Sequence, residues 1–324
     1  MADADAALSG KLIVLLGGGG FFGAHVAQEL LARGARLRIA CRKPKRAYRL
    51  KTLANLGQVQ FLRADITNCA VLPTLVAGAD GVVNLVGAFK GDLKAAHVTG
   101  PAALAAAAKA AGVSAFVHVS ANGADADSPT AYARTKAEGE AAVLAAFPKA
   151  TVLRPSILFG PDDNFINMFA RLIGMMPVLP VFGPEAKLQP VFVDDAAAAL
   201  ANALGDPATH GGKTYTLCGP EVMTMGGLNR AIAKAQHRDP RFVDLPDAAS
   251  GAFALLTGWL PLAPISSDQW QLLKAGNVQG KAPGLKALGI AAKPLGLFLD
   301  RWMVQYRKHG RFGAKNATGQ QGAA

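Results

Sequence analysis

Tyr132 and Lys136 are the side chains whose types and spacing most directly suggest acid–base chemistry in this sequence. They are four positions apart in AYARTK, so a helix through this segment places both on one face. An ammonium group beside a phenol favours the phenolate, and the lowered phenol pKa makes the tyrosine a usable acid or base. Ser120 ends an apolar run and has a hydroxyl that can hydrogen-bond a substrate oxygen. The spacing alone is common, and an exposed helix face is the alternative.

A glycine-rich segment near the start of the chain, LLGGGGFFGAHV at residues 15–26, predicts where a ligand binds. Gly17, Gly20 and Gly23 form G-x-x-G-x-x-G between an apolar strand and a helical pattern. The first glycine permits a tight turn, the second lets the backbone approach a pyrophosphate, and the third lets the helix pack on the sheet. The helix then offers unpaired N–H groups and its positive end to the phosphates. We therefore expect a dinucleotide here.

The end of the second predicted strand discriminates between the two nicotinamide dinucleotides. NAD sites usually place a carboxylate there, about twenty residues after the glycines, to bind the ribose 2′-hydroxyl. This chain has Arg42 and Lys43 instead, and both can pair with a 2′-phosphate. NADPH is therefore favoured over NADH, although both cations could simply belong to the general basic surface. Asp65, which follows the third strand, is placed to face the adenine.

Apolar segments of strand length alternate with helical segments over the first half of the chain. Continuous apolar strands separated by helices are typical of a parallel sheet that helices cover on both faces. The sequence therefore predicts an α/β fold with a doubly wound parallel sheet. The strands are predicted within residues 11–16, 35–41, 59–65, 81–87, 114–120 and 150–160, with one more strand and its helix at 191–204 and a short strand at 213–219.

The alternation weakens after Gly160, where prolines become frequent, and this change predicts a second, smaller domain that is partly interleaved with the first. The predicted dinucleotide-binding Rossmann domain comprises residues 9–165 plus about 189–206. The smaller C-terminal domain comprises about 166–188 and 207–310, and residues 311–324 are predicted to be a flexible basic tail.

Positive charge is concentrated in two segments of a chain whose net charge is +12. Residues 33–51 contain nine basic and no acidic side chains, and residues 301–315 contain five more. Such surfaces attract acidic proteins, anionic lipids and phosphorylated ligands. No nucleic-acid-binding motif accompanies them, so nucleic acid is not an expected partner.

The sequence gives no sign of a secretion signal or a membrane span. The first residues, MADADAALSGKLIV, carry acidic side chains and no basic segment before the apolar run. The most apolar late segment, residues 252–265, is shorter than the roughly 20 residues that cross a bilayer, and prolines interrupt it. Contact of this segment with a membrane surface or a partner is left open.

The remaining polar and aromatic candidates are assigned structural roles. His25 and His118 lie in apolar elements, the other histidines lack metal-ligand spacing, and the three cysteines form no CxxC pair, so no metal site is expected. Asp194 and Asp195 are better explained by a helix N-terminus than by a catalytic pair. Trp259, Trp270 and Trp302 could belong to a core or to an interface, and an interface is favoured because the segments around them are apolar and broken by proline.

Several segments together resemble the extended or atypical short-chain dehydrogenases/reductases. They are the glycine loop, Asp65, NLVGA at 84–88, Ser120, YARTK at 132–136, RPSILFGP at 154–161 and VFVDDAAAA at 191–199. The resemblance implies that Tyr132 and Lys136 are catalytic, that Ser120 assists, and that the segment after the sixth strand lines the nicotinamide. The candidate cofactor contacts are Gly17, Gly19, Gly20, Phe21, Phe22, Gly23, Arg42, Lys43, Asp65, Ile66, Leu85, Val86, Gly87, Tyr132, Lys136, Pro155 and Ile157.

A narrower resemblance is to the nucleotide-binding accessory subunits of respiratory complex I, the NADH:ubiquinone oxidoreductase. It is carried by LRPSILFGPDDNFINMFA, PISSDQWQLLKAGNV and LKALGI, which extend the match to about residue 290. It implies an NADPH that supports structure with little turnover, and a peripheral position on the hydrophilic arm near the cytoplasmic face of a bacterial inner membrane. Other subunits of that arm are the implied partners, and the basic surfaces also suit lipid headgroups.

Two other functions are compatible with the same residues. One is an active NADP-dependent reductase, epimerase or dehydratase that uses Ser120, Tyr132 and Lys136. The other is a redox-sensing module that reads the ratio of NADPH to NADP. The full Ser, Tyr and Lys set is present, so catalysis depends on geometry rather than on missing residues.

Overall fold

The computed structural model of the protein describes residues 7–246, 250–251 and 267–312. The strands of this part of the chain are β1 Leu12–Leu16, β2 Arg36–Cys41, β3 Val59–Arg63, β4 Gly81–Asn84, β5 Ala115–Val119, β6 Thr151–Pro155, β7 Leu158–Phe159, β8 Val178–Phe182, β9 Lys187–Leu188, β10 Val191–Phe192, β11 Thr214–Leu217, β12 Met223–Thr224 and β13 Arg241–Leu245.

Helices connect these strands. The α-helices are α1 Phe21–Ala32, α2 Leu72–Val76, α3 Gly100–Ala110, α4 Ala131–Ala146, α5 Phe165–Met175, α6 Val193–Gly205, α7 Pro207–His210, α8 Met225–Ala235, α9 Ser267–Ala275 and α10 Gly296–Trp302. A π-helical turn, Ala95–Thr99, precedes α3, and 3₁₀ helices form at Pro44–Leu53, Cys69–Val71, Leu285–Leu288, Met303–Tyr306 and Gly310–Phe312. None of the described helices is both long enough and apolar enough to cross a membrane.

Seven strands form one sheet in the order β11-β6-β5-β4-β1-β2-β3, and every pairing in it is parallel. The strand order reverses beside β1, which lies between β4 and β2. Ligands of open parallel sheets bind in the crevice at the carboxyl ends of the strands where the order reverses. The predicted fold class, a doubly wound α/β sheet, is confirmed.

The seventh strand of this sheet comes from the segment at 213–219, not from the one at 191–204. The latter forms the two-residue strand β10, which pairs with β7 outside the main sheet, followed by α6. The sequence of the two candidates did not distinguish them, because both are short and apolar.

Apolar side chains fill both faces of the sheet. Leu15 belongs to a cluster shared with α1 and α6, whereas its neighbour Val14 belongs to a cluster shared with α2, α3 and α4. Successive strand residues point to opposite faces, so a strand covered on both sides must be apolar throughout. This burial explains the continuous apolar run that predicted β1.

A third apolar cluster joins α5, α8, α10 and the short strands around them. Trp302 packs in it against Phe298, with 4.8 Å between ring centroids, and Trp270 is buried beside Phe182. The favoured interface role is wrong for Trp270, because its ring is buried within the chain. Trp302 is half-buried, and an interface role for it stays a prediction. Trp259 lies outside the described residues, as does all but the start of the predicted tail. The division into two domains stays a prediction.

Candidate functional site

The glycine loop between β1 and α1 brings the chain into close contact with itself. Gly17 has φ +90°, and its N–H donates to the carbonyl of Ala40 at 2.8 Å. A Cβ on Gly23 would lie 2.6 Å from the Cα of Gly18 and 2.7 Å from the carbonyl oxygen of Gly17. Backbone atoms cannot move aside cheaply, so the fold itself requires glycine at both ends of the motif.

The fold also favours glycine at position 18, which is not one of the three glycines of the predicted motif. A Cβ there would lie 2.9 Å from the Cγ2 of Ile39, and one on Gly19 would lie 3.0 Å from the Sγ of Cys41. The run of four consecutive glycines could have indicated this, because Gly18 is in that run but is not one of the three glycines of the G-x-x-G-x-x-G motif. The loop is thus packed against β2, the strand that Arg42 and Lys43 follow.

Gly20 differs from its neighbours, because the fold leaves space for a side chain there. A Cβ on Gly20 would have its nearest contact, the carbonyl oxygen of Gly17, at 3.4 Å. Gly20 also caps α1, and no side chain accepts a hydrogen bond from the first turn of that helix. Uncapped N–H groups at a helix start are a ready site for a phosphate. These features fit the pyrophosphate of a dinucleotide.

Cationic side chains follow β2, and a carboxylate follows β3. The side chains of Arg42 and Lys43 are exposed and form no hydrogen bond or ion pair with the rest of the described chain. Asp65 uses Oδ1 to accept both the N–H and the hydroxyl of Thr67, at 3.1 and 2.9 Å. Ile66 is buried against the start of α3. Contacts of these four predicted residues with a cofactor stay predictions.

Lys136 extends from α4 to the carboxyl ends of β4 and β5. Its Nζ is buried and donates to the carbonyls of Val86 and Val119, both at 3.3 Å, and it lies 3.5 Å from where a Cβ on Gly87 would be. Burial lowers the pKa of Lys136 to about 8, although the charge of Glu140 opposes this shift. Lys136 is thus an amine that can change its charge near neutral pH.

Tyr132 lies one helical turn before Lys136, but the expected lowering of its pKa is wrong for this arrangement. Burial raises the pKa of the Tyr132 phenol to about 12. The Lys136 ammonium donates to two backbone carbonyls rather than to the phenol. The Tyr132 hydroxyl has no hydrogen bond to any described residue. The i, i+4 spacing placed both residues on one face, but it carried no information about these competing acceptors.

Ser120 lies beyond the end of β5 with its side chain buried. Its N–H donates to the carbonyl of Leu153 at 2.8 Å, whereas its Oγ has no partner within the described part of the chain. Buried hydroxyls almost always have a hydrogen-bond partner, so an unpaired one beside a crevice is a position where a ligand can provide it. The structure therefore brings Ser120, Tyr132 and Lys136 to the same end of the sheet.

The other predicted contacts lie on the loops that leave the strand ends. Leu85 and Val86 follow β4, where their N–H groups donate to the carbonyl of Leu16 and the Oδ1 of Asn84. Pro155 ends β6 and is buried, and Ile157 is half-buried in the third apolar cluster. Phe21 packs toward Gly160, and Phe22 is half-buried between two apolar clusters.

Two further residues at this site, Phe89 and His97, were missed by the sequence analysis. The Nε2 of His97 accepts the Ala88 N–H at 3.0 Å, so in the neutral ring Nδ1 donates to the Oγ1 of Thr135 at 2.8 Å. Burial and, to a lesser degree, the Lys136 charge lower the pKa of His97 to about 4, which keeps the ring neutral. These bonds hold the segment after β4, including Phe89, against α4.

His25 and the two adjacent aspartates lie outside this constellation. His25 bridges Asp194 and Asp162, at 2.6 and 3.0 Å, and these carboxylates outweigh the effect of burial and raise its pKa. Asp194 and Asp195 occupy the first turn of α6, and Asp195 binds Lys293 instead, at 3.0 Å. The interpretation of the aspartate pair as a helix N-terminus is confirmed.

Together, these features fit a nicotinamide dinucleotide. The uncapped start of α1 faces the pyrophosphate position, and the free Ser120 hydroxyl and Lys136 amine lie at the strand ends beyond it. When bound, such a cofactor supplies or accepts a hydride. The chain itself offers uncapped N–H groups that could bind a phosphate, a buried amine and a phenol that retains its proton at neutral pH.

Comparisons with known proteins agree with this description. The model of the NAD dependent epimerase/dehydratase family matches residues 13–218. The mitochondrial NADH dehydrogenase (ubiquinone) 1 alpha subcomplex subunit 9 of Arabidopsis thaliana is 31% identical, over 94% of this chain and 80% of that protein. A ceramide reductase of Caulobacter vibrioides is 29% identical, over 78% and 79%. An NADPH-dependent quinone oxidoreductase of Escherichia coli, solved with NADPH, has a TM-score of 0.72 and is 23% identical, with 89% and 99% covered.

Proposed function

Because the chain belongs to the NAD dependent epimerase/dehydratase family, and within it is similar over most of its length to a complex I subunit, we propose that it is an accessory subunit of respiratory complex I that binds NADPH as a structural cofactor. The observation that carries this proposal is the extent of that similarity. It spans 94% of the chain, well beyond the residues that the family model matches.

The preference for NADPH over NADH is part of the proposal. We expect Arg42 and Lys43, the residues after β2, to approach the adenosine ribose, and their side chains are exposed with no hydrogen-bond or ion-pair partner in the described structure. Neither can accept a hydrogen bond from a 2′-hydroxyl, but both can bind a 2′-phosphate. Their charge therefore supports NADPH.

A structural role for the cofactor is supported by the state of Tyr132. A general acid works best when its pKa lies near the working pH, and the Tyr132 phenol has a pKa of about 12. One face of its ring is also covered by Phe89. A catalytic cycle would have to uncover the phenol and bring the Lys136 amine to it.

We further propose that the subunit is peripheral, on the hydrophilic arm near its junction with the membrane, at the cytoplasmic face of the inner membrane. The basic segments have the charge to attract acidic subunits and anionic headgroups. These contacts with neighbouring subunits and headgroups would attach the subunit to the complex.

Purification of complex I through a tag on a different subunit tests this proposal. We expect the chain to copurify in a fixed ratio, and alkaline extraction to release one NADPH per copy of it. A chain that is absent from the purified complex would contradict the proposed function.

One observation favours a second function, an active NADP-dependent reductase. Ser120, Tyr132 and Lys136 converge at one sheet end, and the ceramide reductase relative covers most of the chain. In that case, the isolated protein should oxidise NADPH with a carbonyl compound, and Tyr132→Phe should abolish the reaction. With a structural cofactor, neither protein should show turnover.

A further inference from the structure

The segment after β2 forms an unusually long 3₁₀ helix, Pro44–Leu53, whose geometry sorts its side chains into three rows. A 3₁₀ helix has three residues per turn, so side chains three apart lie directly above one another, and runs longer than three or four residues are uncommon. Ala47 and Leu50 form the inner row and are buried. The other two rows therefore face outward.

One outward row contacts the loop that follows β7. Arg49 donates to the Oδ2 of Asp162 at 3.3 Å, in the loop that follows β7, and the hydroxyl of Thr52 donates to the Arg49 carbonyl at 2.9 Å. Arg46 is one turn earlier in the same row. This row is thus used within the chain.

The side chains of the other outward row form no hydrogen bond or ion pair within the described part of the chain. Lys45, Tyr48 and Lys51 are exposed, and the Lys51 Nζ lies over the Tyr48 ring, 4.4 Å from its centroid. The Tyr48 ring packs edge-on against Phe61 of β3, with 5.3 Å between centroids. A cation held over an aromatic ring that is itself anchored to the sheet is preorganised, which lowers the entropic cost of binding.

Two exposed leucines lie at the end of the helix and just after it. Leu53 is 51% exposed and Leu56 is fully exposed. No acidic residue occurs anywhere between Glu29 and Asp65, so the surface has no nearby acidic sequence neighbour. Leu53 follows Ala47 and Leu50 in the inner row but is exposed, because it ends the helix. We call the row of Lys45, Tyr48 and Lys51, taken together with the exposed Leu53 and Leu56, the outer row.

We propose that the outer row is a docking surface for an acidic surface of a neighbouring protein subunit with an apolar centre. This inference rests on the proposed function, because it names the part of the chain that meets its neighbours in the complex. Positive charge beside exposed leucine requires a partner that offers both carboxylates and apolar atoms. The anchored tyrosine is the type of residue that dominates the binding energy of protein interfaces.

A bilayer is a less suitable occupant of the same surface. Stable attachment to a membrane needs a broad apolar face or several cooperating signals. The outer row offers two leucines on a turn, and its tyrosine is already packed edge-on against β3. One of its two cations, Lys51, is held over that ring.

Retention of the chain in the complex provides the test. Complex I is purified through a tag on a different subunit, from cells that produce the wild-type chain or the charge-reversed Lys45→Glu/Lys51→Glu chain, and is washed with increasing salt. The control is Lys109→Glu/Lys149→Glu, which changes the net charge equally at exposed positions far from the outer row in sequence. We expect at least a ten-fold loss of the outer-row variant and no loss of the control.

Two further variants test whether the exposed leucines contribute to docking, and a stability measurement tests whether the variants fold. Leu56→Asp should also weaken retention, whereas Val222→Asp, at another exposed position, should not. Each variant should unfold at the wild-type temperature and bind NADPH like the wild type, because none of these side chains is buried. Carbodiimide coupling in the wild-type complex should join Lys45 or Lys51 to a carboxylate of another subunit.

The outcomes that overturn the inference are distinct. Equal retention of the wild-type and Lys45→Glu/Lys51→Glu chains would contradict the docking surface and leave the proposed function intact. Absence of the wild-type chain from the complex would contradict both. Binding of the isolated chain to phosphatidylglycerol vesicles that is lost in Lys45→Glu/Lys51→Glu, with retention in the complex unchanged, would assign the surface to lipid instead.

Discussion

The ring of Phe89 lies almost parallel to the ring of Tyr132, with 4.3 Å between their centroids and 12° between their planes. His97 approaches the same phenol with its edge, at 5.5 Å and 88°. Phe89 is 59% exposed, so it covers the phenol from the solvent side. Tyr132, the residue that family resemblance makes catalytic, is half-buried and contacts two rings that the resemblance does not include.

Replacing Phe89 with alanine should uncover Tyr132. Because burial is what raises the phenol pKa to about 12, we expect Phe89→Ala to lower it toward the ordinary value of 10.0. Absorbance titration of phenolate formation measures this, and subtracting the Tyr132→Phe/Phe89→Ala curve isolates the one tyrosine. An unchanged pKa would mean that Phe89 does not shield the phenol in solution.

Lys136 should make the stability of the protein depend on pH in a predictable direction. Its pKa is about 8 when folded and 10.5 when unfolded, so between these values the unfolded chain binds one more proton and stability rises with pH. Relative to Lys136→Met, the wild type should gain up to roughly 3 kcal/mol in free energy of unfolding across this window. Urea unfolding at pH 8 and at pH 10.5 measures the difference. A relative loss of stability with rising pH would show that the amine is not buried as described.

Removing the cations after β2 should affect the two cofactors differently. Arg42→Ala/Lys43→Ala should weaken NADPH binding about ten- to a hundred-fold and leave NADH binding nearly unchanged, because charge-assisted bonds to the 2′-phosphate are lost. Dissociation constants from calorimetry measure this. Arg36→Ala, at the exposed opposite end of β2, is the matched control and should change neither. Equal losses for NADPH and NADH would contradict the assignment.

Two helical glycines should respond in opposite directions to the same substitution. Gly23→Ala would place its Cβ 2.6 Å from the Cα of Gly18 and should lower the free energy of unfolding by about 1–3 kcal/mol. Gly174→Ala, in α5 with nothing within 4 Å of the new Cβ, should raise it by about 0.5–1 kcal/mol. Denaturant unfolding without cofactor measures both. Similar effects at the two positions would contradict the close approach of α1 to the glycine loop.

Sequence patterns predicted the sheet because burial on both faces forces continuous apolar strands, and β1 shows this clearly. They could not predict the Phe89–Tyr132 stack, because it depends on how the segment after β4 meets α4 some forty residues later. They also failed for the Tyr132 pKa, since the acceptors of Lys136 are backbone carbonyls that leave no trace in residue type. Trp270 was misassigned for a similar reason, because apolar and proline-broken segments fit a core as well as an interface.

The most direct measurement is the amount of this chain, and of NADPH, in complex I purified through another subunit. A structural cofactor predicts one chain and one NADPH per complex, with the NADPH still reduced after incubation with small carbonyl compounds. It also predicts that Arg42→Ala/Lys43→Ala reduces both the NADPH content and the retention of the chain. A complex that lacks the chain, or an NADPH that is oxidised with turnover dependent on Tyr132, would contradict the structural role.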